Sequence, residues 1–365
     1  MQRFRRVRGR LAAHDKREAG RWLAVLSAIL ALIAAAAVAG ISGAAGISAR
    51  LSEGRPAWLV LAAVFELMSI FGFVAAFQLV FGEWLPKRMI RMGLAVQAAT
   101  ILLPAGGLVA IGVGAKVIRG RGVPRAKTRP RAIAFLLITN APNVIVLGAL
   151  GTALGAGLLD GPHGAILTVV PAAIALSAIG LTVLLPMVSR QRMEPAARTV
   201  LHRIVPAVVA QLELGVIETG ALLRGRNWKL LGAVAYYAFD NAVLWASFKA
   251  FGHTHPSIAT LAMAYLIGSA TGSLPTPAGI GVVEGGMIGL FVLYGAPAIC
   301  AGIAVLAYRA VSTGLPLALG GVAFLALGQS ALRRRTDDER AGEIPKHERG
   351  RDGQDEATPA LAATT

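Results

Sequence analysis

The chain has 365 residues, 55% of them apolar and 15% charged, with a mean hydropathy of +0.64. A soluble domain carries roughly 25% charged residues, so a water-soluble fold of this size has too little polar surface here. The net charge of +17 would suggest nucleic acid in a soluble chain, but long uncharged stretches point to a bilayer, and no nucleic-acid partner is expected. One cysteine, Cys300, rules out a disulfide framework and a Cys-based zinc site.

Residues 1–21 form a basic tail. Segment 22–49 follows without a charge, and it exceeds the about 7–15 apolar residues of a cleaved signal, so it reads as a retained span. Further apolar segments run over 57–82, 92–115, 132–158, 164–188, 204–223, 229–251, 257–298 and 299–331. Crossing the hydrocarbon takes roughly 20 residues of helix.

Lysine and arginine orient these segments, because basic loops stay cytoplasmic. They crowd the N-terminal tail, loops 83–91, 116–131, 189–203 and 224–229, and the chain after Leu332. The remaining loops hold only Arg50 and Arg55, while Lys249 and Arg309 fall inside apolar segments. Loops 83–91 and 116–131 therefore share a side, and segment 92–115 must enter and leave there. Its centre contains Pro104-Ala105-Gly106, a helix break tolerated at membrane depth only where protein or a wet cavity satisfies the backbone. It is read as a re-entrant hairpin rather than a kinked span.

Segment 257–298 has the same character around Pro275, Pro277, Gly279 and Gly281, and reads as a second hairpin entering from outside. Segment 204–223 begins and ends on the basic side and carries Glu213 and Glu218, which suits an interfacial helix. The expected fold is all-α: a polytopic membrane protein with about six full crossings and two hairpins, both termini cytoplasmic. Residues 332–365 are charged and poor in apolar side chains, so disorder is expected there.

The sequence also repeats. A shift of 173 places Pro104-Ala105-Gly106 on Pro277-Ala278-Gly279, and a shift of 170 places Trp58 on Trp228 and Phe81-Gly82 on Phe251-Gly252. Each half, about 57–158 and 229–331, reads as span, broken hairpin, span. By the basic-residue distribution the first half starts outside and the second inside. Inverted repeats with broken elements at the midplane are a transporter signature.

The stretch Leu274-Pro275-Thr276-Pro277-Ala278-Gly279-Ile280-Gly281-Val282-Val283-Glu284-Gly285, followed by Gly295 and Arg309, resembles the signature of the lysylphosphatidylglycerol synthase/flippase transmembrane family. The resemblance implies movement of lipids with aminoacylated or glycosylated head groups across the cytoplasmic membrane. It does not imply their synthesis, since the transferase domain of some members has no counterpart in this chain. The first-half turn departs from the family pattern, continuing from Gly107 through Leu108, Val109 and Ala110 without a polar residue.

Several residues are candidates for the site. An acid within a membrane segment is a functional-site hypothesis by default. Glu284 either binds a cationic head group or a proton, or pairs statically with Arg309 or with backbone N–H groups. Arg309 either forks onto a lipid phosphate or completes that pair. Asp240 and Asn241, mid-segment after Tyr236 and Tyr237, line a cavity or bond between helices, as do Asn140 and Asn143 around Pro142. Glu66 faces the bundle with no role assigned. The pairs Gly151/Gly155, Gly268/Gly272 and Gly281/Gly285 have the spacing for close helix packing. His253 and His255 read as an ordinary loop, and neither a metal site, a cofactor nor a catalytic constellation is expected.

The function expected is translocation of a lipid with a polar or charged head group. The alternative is a membrane enzyme or an accessory to a lipid-modifying transferase. Anionic lipid is the expected partner of the basic loops.

Overall fold

The computed structural model describes residues 54–82, 86–102, 125–161, 164–192, 200–251, 256–271 and 281–342. The expected span 22–49, the breaks at Pro104, Gly106, Pro275, Pro277 and Gly279, and His253 and His255 lie outside these residues.

The described residues form nine α-helices in chain order: α1 Pro56–Phe81, α2 Pro86–Leu102, α3 Arg125–Gly155, α4 Ala165–Arg192, α5 Val200–Arg224, α6 Leu231–Phe251, α7 Ile258–Ala270, α8 Val282–Leu293 and α9 Ala298–Gly342. A 3-10 turn at Trp228–Leu230 leads into α6, started by Asn227 Oδ1 accepting the Lys229 amide at 3.1 Å. No strand occurs among the described residues. The protein is an all-α membrane protein. Pro56–Phe81, Arg129–Gly155 and Ala298–Leu327 are long and apolar enough to cross a bilayer. Large apolar side chains point outward, Ile166 and Ile258 being 78% and 77% exposed, which water would penalise and lipid does not.

The bundle is built around α1 and α6. They run antiparallel: Trp58 meets Trp245 edge-on, Phe65 stacks on Phe239, Ser69 Oγ donates to the Tyr236 carbonyl at 2.9 Å, and the Arg55 amide donates to the Ala250 carbonyl at 3.1 Å. Two glycines permit this approach. A Cβ on Gly72 would lie 2.6 Å from the Tyr236 nitrogen, and one on Gly232 would lie 2.6 Å from the Gly72 carbonyl oxygen. Lipid tails are as apolar as leucine, so close backbone packing has to do in a membrane what water exclusion does in a soluble core. Phe73, Phe77, Phe81 and Phe135 fill the gap between α1 and α3 with edge-on and tilted rings.

The remaining helices arrange themselves about this pair. α9 packs on α2, and α3 packs on α7. α3 and α4 close through Gly151 and Gly155, where an added Cβ would meet Ala172 and Val169, so that pair of glycines has the packing role its spacing suggests. α5 lies against α3, with Gly215 on Ile133 and Glu218 near Arg131 at 3.5 Å. α6 has the length of a span but carries Asp240, Asn241 and Lys249; it packs against α1, α9, α3 and α7.

Among the described residues nothing lies within 4 Å of a Cβ added at Gly281 or Gly285, so neither makes a close helix contact with them. Gly281 has a different use: its φ of +80° sets the turn into α8, a conformation L-residues avoid. The last helix continues to Gly342, into the segment where disorder is expected from residue 332.

Candidate functional site

The second hairpin sequence folds as two short helices. α7 and α8 span about 20 and 18 Å at 1.5 Å per residue, against roughly 30 Å of hydrocarbon. They lie antiparallel: Gly268 faces Met287, and Thr271 faces Gly286. Thr271 Oγ1 bonds the Gly268 carbonyl at 2.6 Å and the Val282 carbonyl at 3.1 Å, tying the arms together beside the break.

Glu284 stands at the third position of α8. Its Oε2 accepts the Gly281 amide at 2.7 Å, closing the open N-terminus of the helix from within. Its Oε1 accepts Arg309 Nε from α9 at 2.8 Å. Both side chains are largely buried, at 11% and 15% exposure. The two alternatives for a static role thus coincide, because one carboxylate holds both the backbone N–H and the guanidinium. Gly281 at the start of α8 supplies the donor, and Arg309 on α9 supplies the charge.

Asp240 on α6 is held from two other helices. Its Oδ2 accepts the hydroxyl of Tyr265 on α7 at 2.5 Å and that of Tyr308 on α9 at 3.0 Å. Arg309 acts on Asp240 electrostatically, and Glu66 on α1 lies near enough to repel it. Glu284, Arg309 and Asp240 therefore belong to one polar cluster spanning α6, α7, α8 and α9. Tyr265 and Tyr308 were not picked out from the sequence. A tyrosine in an apolar run reads as packing, and separations of 25 and 68 residues from Asp240 leave no local signal.

Beside the cluster, a cavity of about 360 Å³ opens between α3, α6 and α7. Asn143, Tyr237 and Asn241 contribute polar atoms to a wall otherwise apolar, with Trp245, Ile258 and Leu261. Asn241 Oδ1 is buried with no hydrogen-bond partner among the described residues. Asn140 sits at its edge, donating through Nδ2 to the Leu136 carbonyl at 2.9 Å and accepting the Tyr237 hydroxyl at 3.4 Å. Asp240 and Asn241 are adjacent in sequence, so α6 faces the charged cluster with one residue and the groove with the next.

Residues 15–320 match the lysylphosphatidylglycerol synthase TM region family, and the chain belongs to that family. Comparison with curated proteins finds no match. The family places the chain in a membrane and ties it to lipid-related function.

Proposed function

We propose that this protein moves a lipid with a polar or charged head group across the cytoplasmic membrane. The head group occupies the polar cluster of α6, α7, α8 and α9 while the acyl tails remain in the groove of α3, α6 and α7 and in the bilayer. Both termini face the cytoplasm, and the oppositely oriented halves expose the cluster to each side in turn. Antiparallel α1 and α6, with α2 on α9 and α3 on α7, is the pairing that a two-fold relation between halves requires.

The observation that carries this reading is the Glu284–Arg309 pair. A buried ion pair is seldom better for stability than well-packed apolar residues, and in a bilayer such charges line ligand paths. Opened by a ligand, the carboxylate receives a cationic group and the guanidinium forks onto a phosphate. Asp240, Asn241 and Asn140 line the route.

The second reading, an accessory to a lipid-modifying transferase, uses the same groove to present lipid to a partner. It is favoured by the family's own name, which is that of a synthase.

Reconstitution tests the proposal. Liposomes carrying fluorescent phosphatidylglycerol, aminoacyl-phosphatidylglycerol or phosphatidylethanolamine are assayed by quenching of the outer leaflet. At least one probe is expected to exchange about tenfold faster than in empty liposomes, about 1.4 kcal/mol off the barrier, with the gain lost in the E284Q/R309Q double variant. No acceleration with any probe, or an unchanged rate in a folded double variant, overturns it.

A further inference from the structure

Glu66 takes no part in the Glu284 pair and belongs to a different helix, yet it is the more deeply buried acid, 2% exposed against 9%. Its place on α1 is fixed by its neighbours: Phe65 stacks on Phe239, and Ser69, one turn on, bonds the Tyr236 carbonyl. The Phe65–Phe239 stack sets the next residues of the two packed helices, Glu66 on α1 and Asp240 on α6, at the same level of the crossing. The two carboxylates are supplied unequally. Asp240 Oδ2 accepts two tyrosine hydroxyls, an environment suited to an ionised group. Glu66 Oε2 is buried and has no hydrogen-bond partner among the described residues.

The groups around the pair are few. From α6 come Tyr236 and Tyr237 beside Asp240, from α7 Tyr265, and from α9 Tyr308 and Arg309, the latter bonded to Glu284 of α8. The basic groups of α2 and α3 lie at the other end of α1: Met89 and Phe135 pack on Phe77 and Phe81, about 16 Å along the helix from Glu66. Arg131 there stands near Glu218. Among the described residues no third acid, histidine or cysteine joins the pair to make a metal site. A second negative charge at Glu66, facing Asp240 in oil, would stand uncompensated at a cost of several kcal/mol. The smallest compensating cation is a proton, and an undonated carboxylate oxygen beside an anion is where it fits.

We propose that Glu66 and Asp240 form a site for a single proton, carried on the Glu66 carboxyl while the pair is enclosed and released to water, leaving the carboxylate, when the helices around α6 part. The site stands on its own geometry. That the proton drives lipid movement is the consequence that rests on the function proposed above, and the test below needs no transport, so the two can fail separately.

The experiment is infrared difference spectroscopy of the full-length protein in an ester-free detergent, comparing mildly acid, neutral and alkaline buffers. A carbonyl stretch of a buried protonated carboxyl is expected at neutral pH, absent from E66Q, retained in E284Q, and indifferent to exchange of potassium for sodium. Absence of the band from the unmodified protein, its survival in E66Q, or its removal by sodium overturns the proposal. Should E66Q not fold, E66D serves instead: the band is expected to move in frequency, and an unmoved band assigns the proton elsewhere and overturns it equally.

Discussion

Glu284 does two jobs with its two oxygens, and they differ in what a substitution does to them. The Gly281 amide needs an acceptor, which glutamine still offers through its carbonyl. Arg309 needs a counter-charge, which glutamine lacks. Removing one partner of a buried pair typically costs about 3–5 kcal/mol, because the other charge is left stranded. E284Q and R309Q singly are therefore expected to lower stability by about 3 kcal/mol each, and E284Q/R309Q by clearly less than their sum. Denaturation of the purified variants in mixed micelles measures this; additive losses would show that the two side chains do not depend on each other.

An acid and a guanidinium in apolar segments were legible as partners from the sequence, since neither can stand alone in oil. The hydroxyls on Asp240 were not, since Tyr265 and Tyr308 look like ordinary apolar filling until three helices are assembled. Gly281 carried two readings, a helix break and a packing pair with Gly285; its positive φ and its amide for Glu284 agree with the first.

At the scale of helices, the α1–α6 crossing sets the distance between Glu66 and Asp240, and Gly72 and Gly232 set the crossing. Alanine at Gly72 would push a methyl against the α6 backbone, where no side chain can rotate away. Overpacking of this kind costs about 1–3 kcal/mol. Gly321 on α9 has nothing within 4 Å of an added Cβ among the described residues, so alanine there should be neutral or stabilising by up to about 1 kcal/mol. G72A is expected to lower the thermal midpoint of the purified protein and G321A to leave it unchanged or raise it; equal midpoints would show that the crossing tolerates separation. Hydropathy located most helices within a few residues, because an uncharged run of bilayer length has few other uses. It ended the last apolar segment at residue 331, whereas α9 continues to Gly342, because hydropathy registers the apolar run and not the helix that outlasts it.

For the molecule as a whole, the transport cycle proposed above rests on halves of opposite orientation. The sequence supports that through basic-residue placement and two near-equal shifts, and the antiparallel packing of α1 on α6 agrees with it. What the sequence could not give is the partner exchange between halves, α2 on α9 and α3 on α7, since it depends on long-range contacts that no local pattern encodes. The most direct measurement is side-specific labelling of single cysteines in a C300S background, at Arg55 just before α1 and at Asn227 just before the turn into α6. Arg55 is expected to label only from outside the cell and Asn227 only from the cytoplasm. Labelling of both from the same face would mean that the halves run in parallel, and the transport cycle built on their inversion would be wrong.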